Sequence, residues 1–366
     1  MVIAPAGFGK TYTIAECIAS YRGEKRVLVL THTHAGIASL KEKFRLKNIP
    51  SSTYQLETIC GFALNLVKAY HLNKDEIPSL SDAGSLFHFA IEHATKILKA
   101  LPIKKYLAIK YDHLIVDEYQ DCTVGQHQMI MSLSTILHTH ILGDPLQGIF
   151  DFGREHIVDF SEESFKLFND NCQSLEIPWR WNNAGRIALG QDLLSIRSKL
   201  LSTNTLDLHN YHEIKVVIAP ENDYAISRSL YKNEIYNALR DNSVLLIHPT
   251  SESVEPRKKF IQQFPQLKVY RKDFLHDICN ALRDADRLGV SAAESIERNR
   301  NILRRKGRKI QGKVIGTTLL TKGLEFDTVV VLNAHRFNDK RHLYVALTRC
   351  CKQLIVISNN HILNPN

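Results

Sequence analysis

The chain has 366 residues, of which 44% are hydrophobic and 23% are charged. A chain of this length and apolar content buries a full core and forms about two domains of ordinary size, which excludes a disordered protein. Its formal net charge of +9 favours an anionic partner, most commonly nucleic acid. The same charge also occurs in basic enzymes that act on other substrates.

The seven cysteines are scattered, and none lies in a CxxC pair or in a cluster with zinc-ligand spacing. This usage is typical of reduced thiols in a cytoplasm. No apolar run reaches the roughly 18 residues that a membrane span needs, and no secretion signal precedes the first motif. We therefore expect a soluble, cytoplasmic protein with no membrane partner.

Short apolar runs with strand character alternate with helical stretches along the chain. They are VLVL (27–30), HLIVD (113–117), HILGD (140–144), VLLIH (244–248), KVIGTT (313–318), TVVVLN (328–333) and LIVIS (354–358). Continuous apolar strands between helices are the pattern of parallel sheets covered on both faces. The two sets of strands predict an α/β fold with two domains, which we place at 1–172 and 173–366.

Two helical stretches interrupt the strands. Residues 62–108 carry apolar residues at helical spacing, and residues 270–311 are helical in pattern and basic, ending in RRKGRK (304–309). We interpret each as a small helical insertion, one in each domain and outside the sheet core. The basic run fits a nucleic-acid contact, a protein contact or a solvated helix end.

The first motif is APAGFGKT at residues 4–11, between a strand-like VI and a helical stretch. It is close to GxxxxGK[ST], a loop whose backbone N–H groups bind phosphate oxygens at a helix N-terminus. Its two glycines permit the tight backbone, Lys10 reaches the phosphates, and the Thr11 hydroxyl ligates Mg²⁺. Ala4 replaces the usual first glycine, and alanine is small enough for the loop to close.

The second motif is HLIVDEYQD, an apolar strand that ends in Asp117 and Glu118. Adjacent carboxylates point to opposite sides of a strand until the strand terminates. Asp117 suits an Mg²⁺ ligand, and Glu118 suits a group that polarises the attacking water. A surface-exposed acidic pair is the ordinary interpretation of such a strand end, but the phosphate loop upstream favours ATP hydrolysis.

A third segment, ILGDPLQGIFDF, again ends a strand in polar residues. Gln147, just past the strand end, is placed to sense a γ-phosphate or to position water. Phe150 and Phe152, two residues apart, fit either core packing or stacking.

With these segments in order, the chain resembles the UvrD/Rep-type helicases of superfamily 1A over nearly its whole length. The matching segments are APAGFGKT (4–11), LTHTHAGIASL (30–40), TICGF (58–62), DEYQD (117–121), GDPLQGIF (143–150), IPWRWN (177–182), GTTLLTKGLEFD (316–327) and YVALTR (344–349). DEYQD and KGLEF are the most specific of them. The resemblance implies two RecA-like P-loop NTPase domains, each with a parallel sheet and a small helical insertion.

The resemblance also implies a site for ATP and Mg²⁺ at the cleft between the two domains. The residues implied in catalysis are Lys10, Glu118, Gln147, Arg180 and Arg349. Those implied in nucleotide binding are Ala4, Pro5, Ala6, Gly7, Phe8, Gly9, Lys10, Thr11, Tyr12, Trp179, Gly323 and Glu325, and Thr11 and Asp117 are implied in metal binding. By resemblance, Arg180 and Arg349 are arginine fingers that a closed cleft brings to the γ-phosphate.

The base and the ribose have implied contacts as well. Trp179 occupies the position of an aromatic that stacks on adenine, Tyr12 supplies the other face, and Glu325 reaches the ribose. Family members also read adenine with a glutamine upstream of the phosphate loop. Here the chain continues upstream of this sequence, or nucleotide selection is relaxed, or a partner covers the base.

For the nucleic acid, the resemblance implies a single DNA strand across both domains, its bases stacked on aromatic side chains. The residues at matching positions are His32, Thr33, Thr58, Phe150, Phe152, Thr317 and Thr318. By resemblance, movement runs 3′ to 5′.

The sequence departs from the family pattern mainly in the motifs for DNA contact and coupling. His32 and His34 replace Phe and Asn, Cys60 and Leu319 replace histidines, and Gly153 replaces an arginine. None of these changes touches the implied hydrolysis residues. Together with the small insertions, they favour translocation over processive unwinding.

Two functions of different classes fit these observations. The first is a DNA-dependent ATPase, which resembles the helicase-like subunits of anti-phage systems such as Gabija, whose partner is an OLD-type nuclease. The second is a nucleotide-dependent switch or sensor that hydrolyses ATP slowly and gates a partner nuclease with little or no unwinding. A small-molecule kinase is disfavoured, because it would need neither KGLEF nor a second domain with two arginine fingers.

Overall fold

The computed structural model of this chain describes residues 1–79, 83–149, 156–158, 168, 171–219, 224–249, 263–264, 266–269, 287 and 312–366. The chain divides into two compact units, Met1–Glu176 and Ile177–Asn366. The boundary falls after Glu176 and not after residue 172, because residues 173–174 form a strand of the first sheet. Apart from Arg287, the predicted insertion at 270–311 lies outside the described residues.

A six-stranded parallel sheet forms the centre of the first unit. Its strands are β1 (Val2–Ile3), β2 (Arg26–Thr31), β3 (Tyr54–Thr58), β4 (Tyr111–Val116), β5 (His138–Gly143) and β6 (Gln173–Ser174). They lie in the order β3-β2-β4-β5-β1-β6, and every neighbouring pair is parallel. The described helices of this unit are α1 (Lys10–Ser20), α2 (His34–Leu46), α3 (Ile59–Tyr70), α4 (Ala83–Ile97), α5 (Leu101–Lys110) and α6 (Val124–Ser134).

Strand β2 shows how both faces of this sheet are covered. Val27 and Val29 belong to a core shared with α1 and α2. Leu28 and Leu30 belong to a second core, shared with α3, α4 and α6. Because successive side chains of a strand point to opposite faces, a continuous apolar run is buried on both sides.

The segment 62–108 is helical, but it belongs to the sheet core and is not an insertion apart from it. Phe62 and Leu66 of α3 and Ala90 and Ala94 of α4 are buried together with residues of β2 and β4. The sequence interpretation was wrong on this point, because helical periodicity reveals an apolar face without revealing what packs against it.

The second unit has its own six-stranded parallel sheet. The strands of this unit are β7 (Leu206–Asp207), β8 (Ile214–Ile218), β9 (Val244–Ile247), β10 (Lys268–Val269), β11 (Lys313–Gly316), β12 (Phe326–Val331), β13 (Cys350–Ser358) and β14 (Ile362–Leu363). The parallel sheet has the order β10-β11-β9-β12-β13-β8, and β14 and β7 form a separate antiparallel pair. The described helices are α7 (Trp179–Asn183), α8 (Ile187–Ser202), α9 (Tyr224–Ala238), α10 (Thr318–Thr321) and α11 (Lys340–Leu347).

The two sheets confirm the predicted fold class of two parallel-sheet α/β units. In the second unit, Leu246, Val330 and Ile355 from three adjacent strands are buried against Ile235 of α9. None of the helices in the described part of the chain is both long enough and apolar enough to cross a membrane.

Candidate nucleotide site

The phosphate loop of the first unit connects β1 to α1. Gly7 and Gly9 have φ angles of 80° and 82°, which side chains with a Cβ rarely adopt, and α1 begins at the next residue, Lys10. Ala4 is fully buried, and its N–H donates to the Gly143 carbonyl at 2.9 Å. Its methyl group therefore lies in the core beside β5, and the departure from glycine leaves the loop intact.

The Lys10 side chain meets both carboxylates of the DEYQD motif. Its Nζ lies 3.3 Å from Asp117 Oδ1 and 2.6 Å from Glu118 Oε1. Strand β4 ends at Val116, and Glu118 adopts a left-handed conformation with φ 56° and ψ 40°. This break in the extended backbone lets two adjacent carboxylates reach one ammonium group, which a continuous strand would prevent.

Burial and charge act against each other in this cluster. Burial alone would lower the pKa of Lys10, but the carboxylates of Asp117 and Glu118 raise that pKa above its usual range. Burial raises the pKa of Asp117, although Lys10 opposes the shift. The paired state is thus an ammonium held by two carboxylates in a site from which most water is excluded.

The donors at this edge of the sheet fit a magnesium ion bound together with a phosphate. Thr11 offers a hydroxyl in the first turn of α1, next to Lys10, and Asp117 offers a carboxylate close to the same lysine. Mg²⁺ takes hard oxygen ligands and is usually held by one or two protein groups plus substrate phosphates and water. The described residues contain no group of three or more His, Cys, Asp or Glu side chains that could hold a metal without such a substrate.

Gln147 is connected to this cluster through two residues that the sequence interpretation did not assign. Its Nε2 donates to Asp144 Oδ2 at 3.1 Å. The Asp144 N–H donates to Gln120 Oε1 at 3.0 Å, and Gln120 Nε2 donates to Glu118 Oε2 at 2.5 Å. Gln120 was visible as the fourth letter of DEYQD, but its role depends on β4 and β5 being neighbours.

Glu16 of α1 and Lys47, the residue after α2, lie beside the predicted adenine contact of the first unit. Tyr12 is half exposed, and Lys47 Nζ lies 4.2 Å from the centre of its ring. Lys47 is also paired with Glu16. One face of the Tyr12 ring is therefore covered by a cation that Glu16 anchors.

In the second unit, two of the predicted residues are bonded to one another. Arg180 Nη2 lies 2.8 Å from Glu325 Oε1, and Arg180 Nη1 donates to the Thr348 carbonyl. Glu325 was predicted to contact ribose, and here its carboxylate holds a predicted arginine finger. Trp179, at the start of the same short helix α7, is half exposed.

The second predicted finger, Arg349, is buried and bonded within the same unit. Its Nε donates to the Val345 carbonyl at 3.0 Å, and its Nη2 donates to Thr348 Oγ1 at 3.2 Å. Thr348 thus accepts from both arginines, which the sequence interpretation did not foresee. Gly323 lies in the loop after α10 with φ 79°.

The predicted DNA contacts of the first unit lie where helices begin. Thr33 Oγ1 accepts from Gly36 N–H, and Thr58 Oγ1 accepts from Gly61 N–H, both at 3.0 Å. Each threonine caps a helix, α2 or α3, directly after a parallel strand.

The other predicted DNA contacts have varied surroundings. His32 Nε2 lies 3.3 Å from Cys122 Sγ. Thr317 stands at the start of α10, and Thr318 Oγ1 lies 2.6 Å from His342 Nδ1. Phe150 and Phe152 lie outside the described residues.

Comparisons with known proteins agree with the motifs. Residues 1–153 match a family model described as an AAA domain. The ATP-dependent helicase/nuclease subunit of Streptococcus sanguinis (strain SK36) is 24% identical over 190 residues, which are 48% of this chain and 15% of that protein. The protein of the same name from Streptococcus suis (strain 98HAH33) is 27% identical over 143 residues, 35% of this chain and 11% of that protein.

Among solved structures, the arterivirus helicase nonstructural protein 10 in complex with DNA covers 97% of this chain and 60% of its own, with a TM-score of 0.44 and 11% identity. This chain spans less than a sixth of the length of the two curated relatives. The similarity therefore does not by itself assign the activity of those whole proteins to this chain.

The AAA domain match and the sequence similarity to these relatives confirm the resemblance drawn from the motifs. By these matches and motifs together, the chain resembles the UvrD-like proteins of helicase superfamily 1.

Proposed function

We propose that this chain is an ATP-dependent translocase on single-stranded DNA that moves 3′ to 5′ in the cytoplasm. The observation that carries the proposal is the cluster of Lys10, Asp117 and Glu118 beside the phosphate loop, with distances of 3.3 Å and 2.6 Å. A lysine held by a buried and a partly exposed carboxylate next to a helix N-terminus fits a phosphate site, because a triphosphate with its metal supplies the matching charges.

In the proposed reaction, Lys10 turns from the carboxylates to the β- and γ-phosphates. Thr11 and Asp117 would hold Mg²⁺, which neutralises charge on the phosphate oxygens. Glu118 orients a water molecule and accepts its proton as the water oxygen bonds to the γ-phosphorus and the bond to ADP breaks. Gln147 senses the γ-phosphate.

In this proposal, the second unit contributes the two arginine fingers that act on the nucleotide bound by the first unit. Arg180 and Arg349 act on the same nucleotide when the two units close on it, Trp179 stacks on the base, and Glu325 contacts the ribose. The support is the resemblance to the UvrD-like helicases and the bonding of Arg180 to both Glu325 and Thr348.

The DNA track is proposed from chemistry that suits phosphates. The hydroxyls of Thr33 and Thr58 stand at helix N-termini, where N–H groups and the helix dipole favour an anion. Thr317 and Thr318 occupy a similar place at the start of α10. The net charge of +9 adds a general attraction for nucleic acid.

A nuclease is the proposed protein partner, on the ground that the relatives are named as subunits of an ATP-dependent helicase/nuclease. The comparisons give no support to an antiviral role. The alternative function is a nucleotide switch that gates such a nuclease. The following experiment distinguishes this switch from a motor.

The test measures ATP hydrolysis by the full chain with no nucleic acid, with single-stranded DNA, with duplex DNA and with RNA. A motor is expected to hydrolyse ATP many-fold faster with single-stranded DNA, and Lys10→Ala and Glu118→Gln are expected to abolish turnover. Lys25→Ala is the control, because Lys25 pairs with Asp112 in an exposed position away from the phosphate loop. Turnover retained by Glu118→Gln contradicts the assigned role of Glu118, and no response to single-stranded DNA contradicts the motor.

A further inference from the structure

The carboxamide of Gln120 joins two segments of the nucleotide site that follow different strands. Its Nε2 donates to Glu118 Oε2 at 2.5 Å, and its Oε1 accepts from the Asp144 N–H at 3.0 Å. Glu118 follows β4 and Asp144 follows β5. One side chain therefore bridges the segment with the proposed general base and the segment with the proposed γ-phosphate sensor.

The two bonds fix the orientation of this amide. A carboxylate accepts only, so the NH₂ end must point to Glu118, and a backbone N–H donates only, so the oxygen must point to Asp144. A flipped amide would place two acceptors together at one end and two donors at the other. Gln120 is 1% exposed, so water does not compete for either bond.

The loop after β5 also packs closely on the Gln120 backbone. A Cβ built on Gly148 would lie 3.0 Å from the Gln120 carbonyl oxygen, so any other residue here would require the loop and the Gln120 backbone to move slightly apart. Within that loop, Gln147 Nε2 donates to Asp144 Oδ2 at 3.1 Å. Hydrogen bonds therefore connect Gln147 through Asp144 to Gln120.

The two oxygens of Glu118 are held by different groups. Oε1 lies 2.6 Å from Lys10 Nζ, and Oε2 accepts from Gln120. In the proposed reaction Lys10 leaves for the phosphates, whereas the bond from Gln120 has no reason to break. The carboxylate then keeps its orientation toward the water that it activates.

We propose that Gln120 is a positioning residue, which holds Glu118 in the geometry for catalysis and ties it to the γ-phosphate-sensing loop through Asp144. This inference rests on the proposed ATP hydrolysis and assigns to Gln120 no contact with the nucleotide itself. It accounts for a glutamine in DEYQD, because a group that both donates and accepts is needed between a carboxylate and a backbone N–H.

The experiment compares three single variants of the full chain. Gln120→Met keeps the length of the side chain and removes both bonds. Gln120→Glu keeps an acceptor for the Asp144 N–H and replaces the donor to Glu118 by a second carboxylate, which repels Glu118. Gln126→Met is the matched control, because Gln126 is also a buried glutamine, and it belongs to the capping box of α6 with Thr123.

Both Gln120 variants are expected to lower kcat by about tenfold or more, which is less than the roughly hundredfold or greater contribution of a general base, because Glu118 is misoriented and not removed. The KM for ATP and the affinity for a non-hydrolysable ATP analogue are expected to stay within about twofold of the parent values, because Gln120 touches no nucleotide group. Gln126→Met is expected to lower the melting temperature and to leave kcat unchanged. A purely structural role of Gln120 would move the melting temperature and leave the kcat of the folded fraction alone.

A double variant tests the connection to the sensor loop. If Gln120 and Gln147 act through one chain of contacts, Gln120→Met combined with Gln147→Ala is expected to lower kcat no further than the worse single variant. Multiplicative losses would overturn the connection. If Gln120→Met has the same kcat as Gln126→Met, the inference as a whole is overturned. If Gln120→Met fails to fold, the kcat of Gln120→Glu is compared with that of Gln126→Met instead.

Lys10→Ala in the same assays separates this inference from the proposed function. Hydrolysis that persists in Lys10→Ala, or is absent from the parent chain, overturns the proposed function. Hydrolysis that depends on Lys10 and is unaffected by both Gln120 variants overturns the role of Gln120 alone.

Discussion

At the scale of single residues, each unit holds a proposed phosphate-binding cation in an ion pair with carboxylates of the same unit. In the first unit, Lys10 is neutralised by Asp117 and Glu118. In the second unit, Arg180 is neutralised by Glu325. A buried or half-buried ion needs a partner whether or not the substrate is present, so each charge has a substitute partner in the protein. In the proposed reaction, nucleotide binding would exchange these ion-pair partners and leave no isolated charge.

Replacement of Arg180 by alanine tests the proposed finger. We expect kcat to fall by about a thousandfold, the lower end for an arginine finger, and the affinity for an ATP analogue to fall much less. Steady-state ATPase rates give kcat, and a binding titration gives the affinity for the ATP analogue.

Arg186→Ala is the control for this variant, because Arg186 forms an exposed pair with Glu213 at 2.9 Å in the same unit. Exposed pairs contribute little, so this variant should keep both kcat and affinity. Equal loss of binding and turnover in Arg180→Ala would show that the arginine holds the ground state and is no finger.

His342 gives the second unit a pH dependence. Burial lowers the pKa of His342, Arg341 and Lys322 add to that effect, and Asp339 opposes it. Below the ordinary histidine pKa of about 6.5, the unfolded chain takes up a proton that the folded chain resists. The folded state then binds fewer protons, so stability falls as the pH falls from about 6.5 toward the folded-state pKa.

Thermal unfolding of the parent chain and of His342→Gln between about pH 7.5 and 5 measures this effect. The glutamine keeps a hydrogen-bonding group beside Thr318, whose hydroxyl lies 2.6 Å from the imidazole. We expect the variant to lose less stability on acidification than the parent. Identical acid dependence in both proteins would contradict the inference that His342 is a source of it.

At the scale of elements, several helices begin with a threonine cap at the carboxyl edge of the first sheet. Thr33, Thr58 and Thr123 cap α2, α3 and α6 with their side-chain oxygens. Such a cap satisfies an N–H group that has no partner within the helix, and its loss costs about 1 kcal/mol of stability. The proposed DNA contacts at Thr33 and Thr58 therefore share their residues with helix capping.

Thr58→Asp separates the two roles. Aspartate is as good a cap as threonine, so the free energy of unfolding is expected to stay within about 0.5 kcal/mol of the parent value. Its negative charge would face the DNA phosphates, so the affinity for single-stranded DNA is expected to fall by about tenfold, with the loss largest at low salt. Fluorescence anisotropy with a labelled oligonucleotide measures the affinity.

Thr123→Asp is the matched control, because Thr123 caps α6 and has no proposed DNA contact. It should retain DNA affinity, although its stability is expected to fall because Thr123 is buried and the new carboxylate would be buried with it. If Thr58→Asp also retains full affinity, Thr58 is a helix cap alone.

The strands that the sequence predicted are mostly buried apolar runs, whereas the missed five-residue strands, β3 and β8, lie at sheet edges and are largely only partly buried. All seven predicted strand runs correspond to strands, from VLVL in β2 to LIVIS in β13. Strand β3 was missed because every one of its five residues is only partly buried, as expected of a strand at a sheet edge. Strands of two residues, such as β6 and β10, have no periodicity to detect.

At the scale of the whole molecule, motifs predicted which residues to examine but not how they are bonded. Lys10, Asp117 and Glu118 could be grouped from the sequence because phosphate loops and acidic strand ends form one known arrangement. The hydrogen bond from the Asp144 N–H to Gln120 joins residues that follow separate strands, and it depends on β4 and β5 being neighbours. The bonds of Arg180 to Glu325 and Thr348 likewise join residues that are far apart in sequence.

The division into two units gives the last test, which uses Met1–Glu176 as a separate protein. This unit has its own sheet and two buried cores, so we expect it to fold and to unfold cooperatively. It contains the phosphate loop, Asp117 and Glu118, so its affinity for an ATP analogue with Mg²⁺ is expected to stay within about tenfold of that of the full chain.

Hydrolysis by this unit alone is expected to be slower by about a thousandfold or more, because both proposed fingers belong to Ile177–Asn366. Lys10→Ala in the same fragment is the control and should lose analogue binding, which shows that binding occurs at the phosphate loop. A fragment that binds and also hydrolyses ATP at the rate of the full chain would contradict the finger roles. In that case the complete hydrolytic machinery would reside in the first unit, and Arg180 and Arg349 would serve the structure of the second.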